Sequence, residues 1–335
     1  MIRTLIVDDS PLVRAMIRDF LESAGSFEIV AEAENGLDGV NKAMDSNPDL
    51  ITMDIEMPVM NGLEAIEEIK KHLDAPIVVI STHDTAKMAY DATVRGAMEF
   101  FAKDIFTSQM TETRREEFLK TLIHITSRKR VSIIDIETVK QNQVKTRLIK
   151  CIVIAASTGG PMALCQLFAA LPGDLNVPVL LVQHNTSGFD RGFVQWLGEY
   201  TPLNVILAES GTVPSAGNVY VAPTDRHLLI SGSCIVIDDS EPVQNQKPAA
   251  DLLFKSAACI YGESVVGVVL TGMGEDGADG IRHIRKSGGI TIAQDEATSM
   301  IYGMPRAAAE TGCVDMILPL GEIAPKLQAL TAGKK

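Results

Sequence analysis

Cysteine is scarce and unpatterned, with five residues, at 151, 165, 234, 259 and 313, mostly inside apolar segments. An odd, scattered set suits reduced core residues better than a disulfide framework or a thiolate metal cluster. Positive charge is also in deficit. Thirty Lys and Arg stand against 43 Asp and Glu, for a net charge of −13, which argues against nucleic acid or an anionic membrane as partner because phosphate binding rests mainly on Lys and Arg. Long hydrophobic runs are missing too. None approaches the roughly 18 residues that span a bilayer, and the opening MIRTLIVDDSP meets acids too early for a signal peptide. A cytoplasmic protein without membrane insertion is expected. What the chain does have is length and alternation: 335 residues are many for one core and point to two domains.

The alternation comes in two blocks. In the first, TLIVDD, FEIVAEAENG, DLITMDIEM, APIVVIST and AMEFFAK read as strands, with helical patterns between them. Val13, Met16, Ile17, Phe20 and Leu21 share one helical face behind a Ser10-Pro11 start, and Leu63, Ile66, Ile69 and Leu73 share another. Such βα units predict a doubly wound parallel sheet. TSQMTETRREEFLKTLIHITSRKR then completes a last helix, and SIIDIETVKQNQVKTRLIK is polar and weakly patterned, as a linker would be. From Cys151 the strands resume with CIVIAA, VPVLLVQ, NVILAE, a hairpin-like pair NVYVAP and HLLISGSCIVIDD, then SVVGVVLTG, GITIAQ and CVDMILPL. The expected fold class is α/β throughout: a domain over 1–122, a linker over 123–149, and a second doubly wound domain over 150–332 carrying a small antiparallel element.

In the first block, polar residues gather at strand ends. Asp8 and Asp9 end the first strand, Asp54 the third, Ser81 the fourth and Lys103 the fifth. The carboxyl ends of parallel strands line one edge of a sheet, where ligands bind. Crowded carboxylates repel one another unless a cation sits among them, and an oxygen-only set suits Mg²⁺. With a hydroxyl and a lysine beside it, the set looks built for a phosphoryl group on an acid. A single acid there could simply cap the first helix, but five polar residues at four strand ends are hard to explain by capping. The motifs VDDS and MDIEMPVMNG, with the strand-end serine and lysine, resemble the receiver domain of two-component response regulators, a flavodoxin-like fold. The resemblance implies that Asp54 accepts phosphate, that Asp8, Asp9, Asp54 and the Glu56 carbonyl hold Mg²⁺, and that Ser81 and Lys103 contact the phosphoryl group. Phe100 takes the aromatic switch position. Asp104 departs from the pattern, because receivers usually carry proline after the lysine.

In the second block, the question is what a serine does in CIVIAASTGGPMALCQLF, where an apolar strand turns into small residues and then a helix. Ser157 sits at that junction, beside helical N–H groups that favour negative charge. A phosphate cradle, the seat of a nucleophile and a plain N-cap all fit. Two further strand ends carry reactive types: His184 after VPVLLVQ, and Asp276 after SVVGVVLTG in the turn GMGEDG. If these strands are parallel neighbours, Ser157, His184 and Asp276 meet at one crevice as a nucleophilic triad, with N–H groups at Thr158 to Gly160 facing the oxyanion. His227 enters a strand and does not leave one, His283 lies in a helical pattern, and Asp279, three residues past Asp276, is the rival acid. A competing motif is present. Gly272, Gly274 and Gly277 spell G-x-G-x-x-G, with Asp295 about twenty residues on, as in dinucleotide binding. Glu275 and Asp276 would, however, put two carboxylates where a pyrophosphate must sit, a like-charge conflict of several kcal/mol. STGGP also lacks the G-K-[ST] ending of a Walker loop.

IAASTGGP, LVQH, YVAPTDRHLLI, KPAADLLFKSAA, LTGMGEDGADG and MIYGMPRAAAETG resemble, in order and spacing, the catalytic domain of the chemotaxis protein-glutamate methylesterases, the CheB family, which also carries an N-terminal receiver. The resemblance implies a Rossmann-like esterase domain in which Ser157, His184 and Asp276 are the triad and Thr158 and Met273 line the site. It implies hydrolysis of glutamate γ-methyl esters on chemoreceptors with release of methanol, deamidation of receptor glutamines by the same chemistry, phosphorylation of Asp54 by a chemotaxis histidine kinase, and a receiver that covers the active site until phosphorylated. No cofactor is expected for the esterase reaction. Departures surround the triad: Asn185-Thr186 replaces Met-Pro, Asp190 a common threonine, and Lys247 a frequent arginine, which loses a bidentate fork. The rival readings are a receiver joined to a silent docking domain and an NAD-dependent enzyme.

Overall fold

The computed structural model describes residues 1–82, 86–106, 112–127 and 148–332, without the side chains of 113 and 114. The chain falls into two compact units that divide near residue 130. In the first, β1 (Ile2–Val7), β2 (Phe27–Ala33), β3 (Leu50–Met53), β4 (Ile77–Ser81) and β5 (Glu99–Ala102) form one parallel sheet in the order β2-β1-β3-β4-β5. The strand order reverses at β1/β3, which opens a crevice at the ends of those two strands. Residues 50–53 and 77–81 are buried throughout, as expected of strands covered on both faces. Helix α1 (Pro11–Ser23) starts where the sequence places it, with Pro11 in its first turn and the Val13 N–H donating to Ser10 Oγ.

The last helix of this unit, Glu112–Ser127, takes in residues 123–127 that the sequence reading gave to the linker. Phe118, Leu122 and Ile125 explain the difference. They recur at helical spacing and are buried in the core with Ile17, Leu21 and Val78, so the helix continues as long as it has an apolar stripe to bury. Residues 128–147 of the expected linker lie outside the described residues, and its last two, Leu148 and Ile149, are exposed and buried respectively.

The second unit is built on seven parallel strands in the order β14 (Met316–Leu318), β13 (Ile290–Gln294), β12 (Val265–Val269), β6 (Cys151–Ala156), β7 (Val179–Gln183), β9 (Asn218–Val221) and β8 (Asn204–Leu207). Those around the centre are β12 (Val265–Val269), β6 (Cys151–Ala156) and β7 (Val179–Gln183), hydrogen-bonded side by side with β6 in the middle. Every residue of all three is buried. One expectation is corrected here. NVYV, β9 (Asn218–Val221), does not form a hairpin with HLLIS; it lies parallel between β7 and β8 (Asn204–Leu207) in the main sheet. The antiparallel pair is made within HLLISGSCIVID, by β10 (His227–Ser231) and β11 (Cys234–Asp238). Val219, Tyr220 and Val221 are all buried, and a continuous apolar run belongs inside a covered parallel sheet, where a hairpin with one wet face would waste it. Among the described residues, no helix is long and apolar enough to cross a membrane.

Candidate active site

In the first unit the polar strand ends converge. Carboxylate oxygens of Asp8, Asp9 and Asp54 lie within 4.8 Å of one another. Lys103 reaches two of them, with Nζ 2.7 Å from Asp54 Oδ2 and 2.9 Å from Asp8 Oδ2. Ser81 is buried at the end of β4, and Phe100 packs edge-on to the buried Tyr90 ring at 4.6 Å. One cation shared between two buried acids leaves the cluster short of positive charge, and the two partners register this differently. At Asp54, burial outweighs the Lys103 contacts, and repulsion from Asp8 adds to it, raising the carboxyl to about 6. At Lys103, burial opposes the charge, but Asp54 and Asp8 outweigh it and raise the ammonium. Both shifts describe a site with more negative charge than its lysine neutralises, and such a donor set fits a divalent cation.

In the second unit β6, β7 and β12 end together. Ser157 follows β6, its N–H donating to Thr271 O at 3.0 Å, and His184 follows β7, its N–H donating to Ala156 O at 3.0 Å. His184 Nε2 lies 2.9 Å from Asp276 Oδ2. The ring is almost buried, with its side chain 10% exposed, and Nδ1 has no hydrogen-bond partner. Asp276 is held by three donors: besides His184, the N–H of Ala250 donates to Oδ2 at 2.6 Å and that of Asp251 to Oδ1 at 2.9 Å. These are the first N–H groups of the helix Ala250–Tyr261, where a carboxylate is favoured. Burial alone would raise the Asp276 carboxyl, but His184 and the two N–H groups outweigh it and hold it below the usual carboxylate range. Asp276 is therefore a stable anion, and Nε2 is the nitrogen that carries the ring proton.

Asp251 returns the favour to the neighbouring helix. Its Oδ1 accepts the Gly280 N–H at 2.7 Å in the helix Ala278–Lys286, so each of two adjacent helices is capped by an acid from the other's approach. Burial, with Asp276 nearby, pushes the Asp251 carboxyl up against that hydrogen bond. Asp279, the rival acid, faces elsewhere: it pairs with Lys255 at 2.6 Å and lies 3.7 Å from Arg282, on the half-exposed helix surface.

The turn around the serine is tightly stitched. Gly159 adopts φ 73, which only glycine takes without strain. The Gly160 N–H donates to Ser157 O at 2.7 Å. That corrects part of the expected oxyanion set, because the Gly160 donor is already engaged within the turn. The Thr158 N–H has no partner among the described residues, and Thr158 O accepts the Thr271 hydroxyl at 3.0 Å. Residues 299–304 close over the far side. The N–H groups of Gly303 and Met304 donate to Gly272 O, and Gly272 N–H donates to Ile301 O. A Cβ on Gly272 would stand 2.7 Å from the Ser157 Cβ, and one on Gly303 would stand 2.6 Å from Gly272 O. The first glycine of the G-x-G-x-x-G turn, Gly272, is thus closed in by Ser157 and by residues 301–304, and the acid of that turn, Asp276, faces His184. Met273 belongs to the same turn and is half-buried.

Sequence reasoning missed two groups here, Asp251 and Gln183. Gln183 ends the otherwise apolar β7 and is buried, so a lone amide in an all-buried strand was the available signal. His227 is buried but serves the scaffold, its Nδ1 accepting the Ala249 N–H at 3.1 Å.

Residues 152–327 match the CheB methylesterase family, and residues 4–115 match the response regulator receiver domain. The chain belongs to the CheB methylesterase family. Among its relatives are protein-glutamate methylesterase/protein-glutamine glutaminases of Pyrococcus horikoshii, 38% identical over 96% of this chain and 91% of that protein, and of Clostridium acetobutylicum, 37% identical over 99% and 98%. The crystal structure of the Thermotoga maritima CheB methylesterase catalytic domain is similar at 36% identity and a TM-score of 0.53, covering 54% of this chain and 98% of that one. As a CheB-family chain it joins a receiver to a methylesterase domain, in the order the two matched segments give.

Proposed function

We propose that this CheB-family chain hydrolyses glutamate γ-methyl esters on chemoreceptors, releasing methanol, with Ser157 as nucleophile, His184 as base and Asp276 as the acid that orients it. The observation that carries the reading is the His184 ring, tied to an ionised Asp276 through Nε2 and bare at a buried Nδ1. Ser157 Oγ attacks the ester carbonyl while its proton passes to Nδ1, and the oxyanion faces the Thr158 N–H. The tetrahedral adduct collapses by transferring that proton to the departing methoxide. Methanol leaves, and the glutamyl group remains as an ester on Ser157. Water then attacks, gives its proton to Nδ1, and Ser157 leaves with that proton as the free glutamate forms. With a glutamine substrate the first leaving group is ammonia, and the remaining steps are the same.

The receiver supplies the control in this proposal. A chemotaxis histidine kinase phosphorylates Asp54, Ser81 and Lys103 contact the phosphoryl oxygens, and Asp8, Asp9, Asp54 and the Glu56 carbonyl would hold Mg²⁺, whose chemistry there is to neutralise the charge of the transferring phosphoryl group. Adding a small-molecule phosphodonor to the full chain should raise the esterase rate, and Asp54→Asn should abolish the response. Rates agreeing within about twofold with and without phosphodonor, well under the tenfold that about 1.4 kcal/mol represents, would remove the regulatory role. The reading places the enzyme in the cytoplasm, where the receptors present their methylated helices.

On this reading, the Asp54 carboxyl, raised to about 6, would make the receiver's metal affinity depend on pH. Protons compete with the cation for the same oxygen, so apparent Mg²⁺ affinity should fall about tenfold for each pH unit below that value and level off above it. Calorimetric titrations at pH 5, 6, 7 and 8 measure this directly. A flat affinity across the series would overturn either the raised Asp54 carboxyl or its place among the ligands.

A further inference from the structure

Gln183 is the one polar side chain of β7, whose other residues are Val179, Leu180, Leu181 and Val182. It is 2% exposed. Its Nε2 donates to two carbonyls, Ser157 O at 3.0 Å and His184 O at 3.0 Å. A single amide group therefore ties together the peptides of the two residues whose side chains exchange the proton. Its Oε1 has no hydrogen-bond partner. A buried amide left half-satisfied is a poor choice for stability alone, since an apolar residue of the same shape would remove the orphan acceptor. What the position retains is the two-pronged donor.

The turn is shaped around this group. A Cβ on Gly160 would stand 2.0 Å from Gln183 Oε1 and 2.9 Å from its Cδ. Gly160 does not have a positive φ and opens the helix Gly160–Ala169, so the backbone there would accept alanine. The absence of a side chain makes room for the Gln183 amide.

We propose that Gln183 is a positioning residue of the esterase reaction: its Nε2 clamps the Ser157 and His184 peptides and so fixes the approach of the serine oxygen to the imidazole. The inference rests on the reading of Ser157 and His184 as nucleophile and base. A clamp on the reacting geometry acts on turnover, while the substrate-binding rim is left alone. Misplacement by a fraction of an ångström to one ångström lowers rates by roughly 10- to 100-fold, so kcat should fall by that factor with KM unchanged.

The test uses the full chain with methylated receptor membranes, measuring kcat and KM per folded molecule for Gln183→Met, which fills the same volume without a donor, and Gly160→Ala, which keeps the amide but displaces it. Thermal melts give the folded fraction. A fall in kcat of fivefold or more with KM within twofold in Gln183→Met supports the clamp. A smaller fall, or a loss carried by KM, overturns it. Should Gln183→Met not fold, Gly160→Ala decides by the same thresholds, since its backbone is permitted and its clash is with Gln183 and the Ala156 Cβ at 3.0 Å. Ser157→Ala in the same assay separates the two levels: if it keeps its turnover, the reading of the site fails, whereas an inactive Ser157→Ala beside an unimpaired Gln183→Met overturns the clamp alone.

Discussion

Ser157→Ala should abolish methyl ester hydrolysis and leave the fold intact. Removing a triad nucleophile typically lowers turnover by about 10⁴- to 10⁶-fold. Little stability is at stake, because the structural tasks at this position belong to the backbone: its N–H donates to Thr271 O and its carbonyl accepts from Gly160 and Gln183. Alanine keeps all three. The Gly272 contact, 2.7 Å from a notional Cβ to the Ser157 Cβ, is likewise unchanged. Methanol release and thermal melts of the two proteins, run side by side, check both halves. Retention of more than about a tenth of the turnover, far above the residual rate of a triad knockout, would discard the serine mechanism.

Asp276→Asn should lower kcat on the order of 10⁴-fold, by analogy with other triads. The physical reason can be read from the donors. Three N–H groups, those of His184 Nε2, Ala250 and Asp251, point at the two carboxylate oxygens. An asparagine has one oxygen, so whichever way it is placed its NH₂ meets at least one of those donors head-on, and the imidazolium formed during the reaction loses its counter-charge. Asp279→Asn should stay within about twofold in kcat, because that side chain forms ion pairs on a half-exposed surface, where such pairs contribute little. The reverse ranking at saturating substrate would move the acid to Asp279. A pH consequence follows with its sign. Asp276 is held below the usual carboxylate range, so the stability it contributes is fully present above the carboxyl's unfolded value near 4 and is lost only as pH falls through the depressed value.

Much of this site was legible in the sequence because strand ends are legible. CIVIAA, VPVLLVQ and SVVGVVLTG announce themselves as buried strands by composition, and in a parallel sheet the chain leaving each strand emerges at the same edge, which puts Ser157, His184 and Asp276 on one side of the sheet; of the three, the described side-chain contacts join His184 to Asp276. The same logic gathered Asp8, Asp54, Ser81 and Lys103. What escaped was of two kinds. Gln183 and Asp251 act through backbone groups, and no spacing rule marks a side chain whose partner is a carbonyl or a helix N–H from another element. Local alternation does not distinguish a hairpin strand from one that inserts between two strands of a large sheet, as NVYV does between β7 and β8. The helix Glu112–Ser127 outran its expected end because Ile125 is buried against a core assembled from strands far away in sequence. The dinucleotide-like glycines show the opposite failure, a pattern that matches while its first glycine packs against residues 301–304 and its acid faces His184.

The tautomer of His184 tests the account most directly. Asp276, held below the usual carboxylate range, takes Nε2, and in the proposed mechanism Nδ1 is the nitrogen that accepts the serine proton. In ¹⁵N spectra of histidine-labelled protein, with the His184 signals assigned among the six histidines by their loss in His184→Ala, the neutral ring should show a protonated Nε2 and a bare Nδ1, and Asp276→Asn should shift the Nε2 resonance. A neutral His184 carrying its proton on Nδ1 would contradict the account, because the only nitrogen left bare would then face an anion and no base would remain for Ser157.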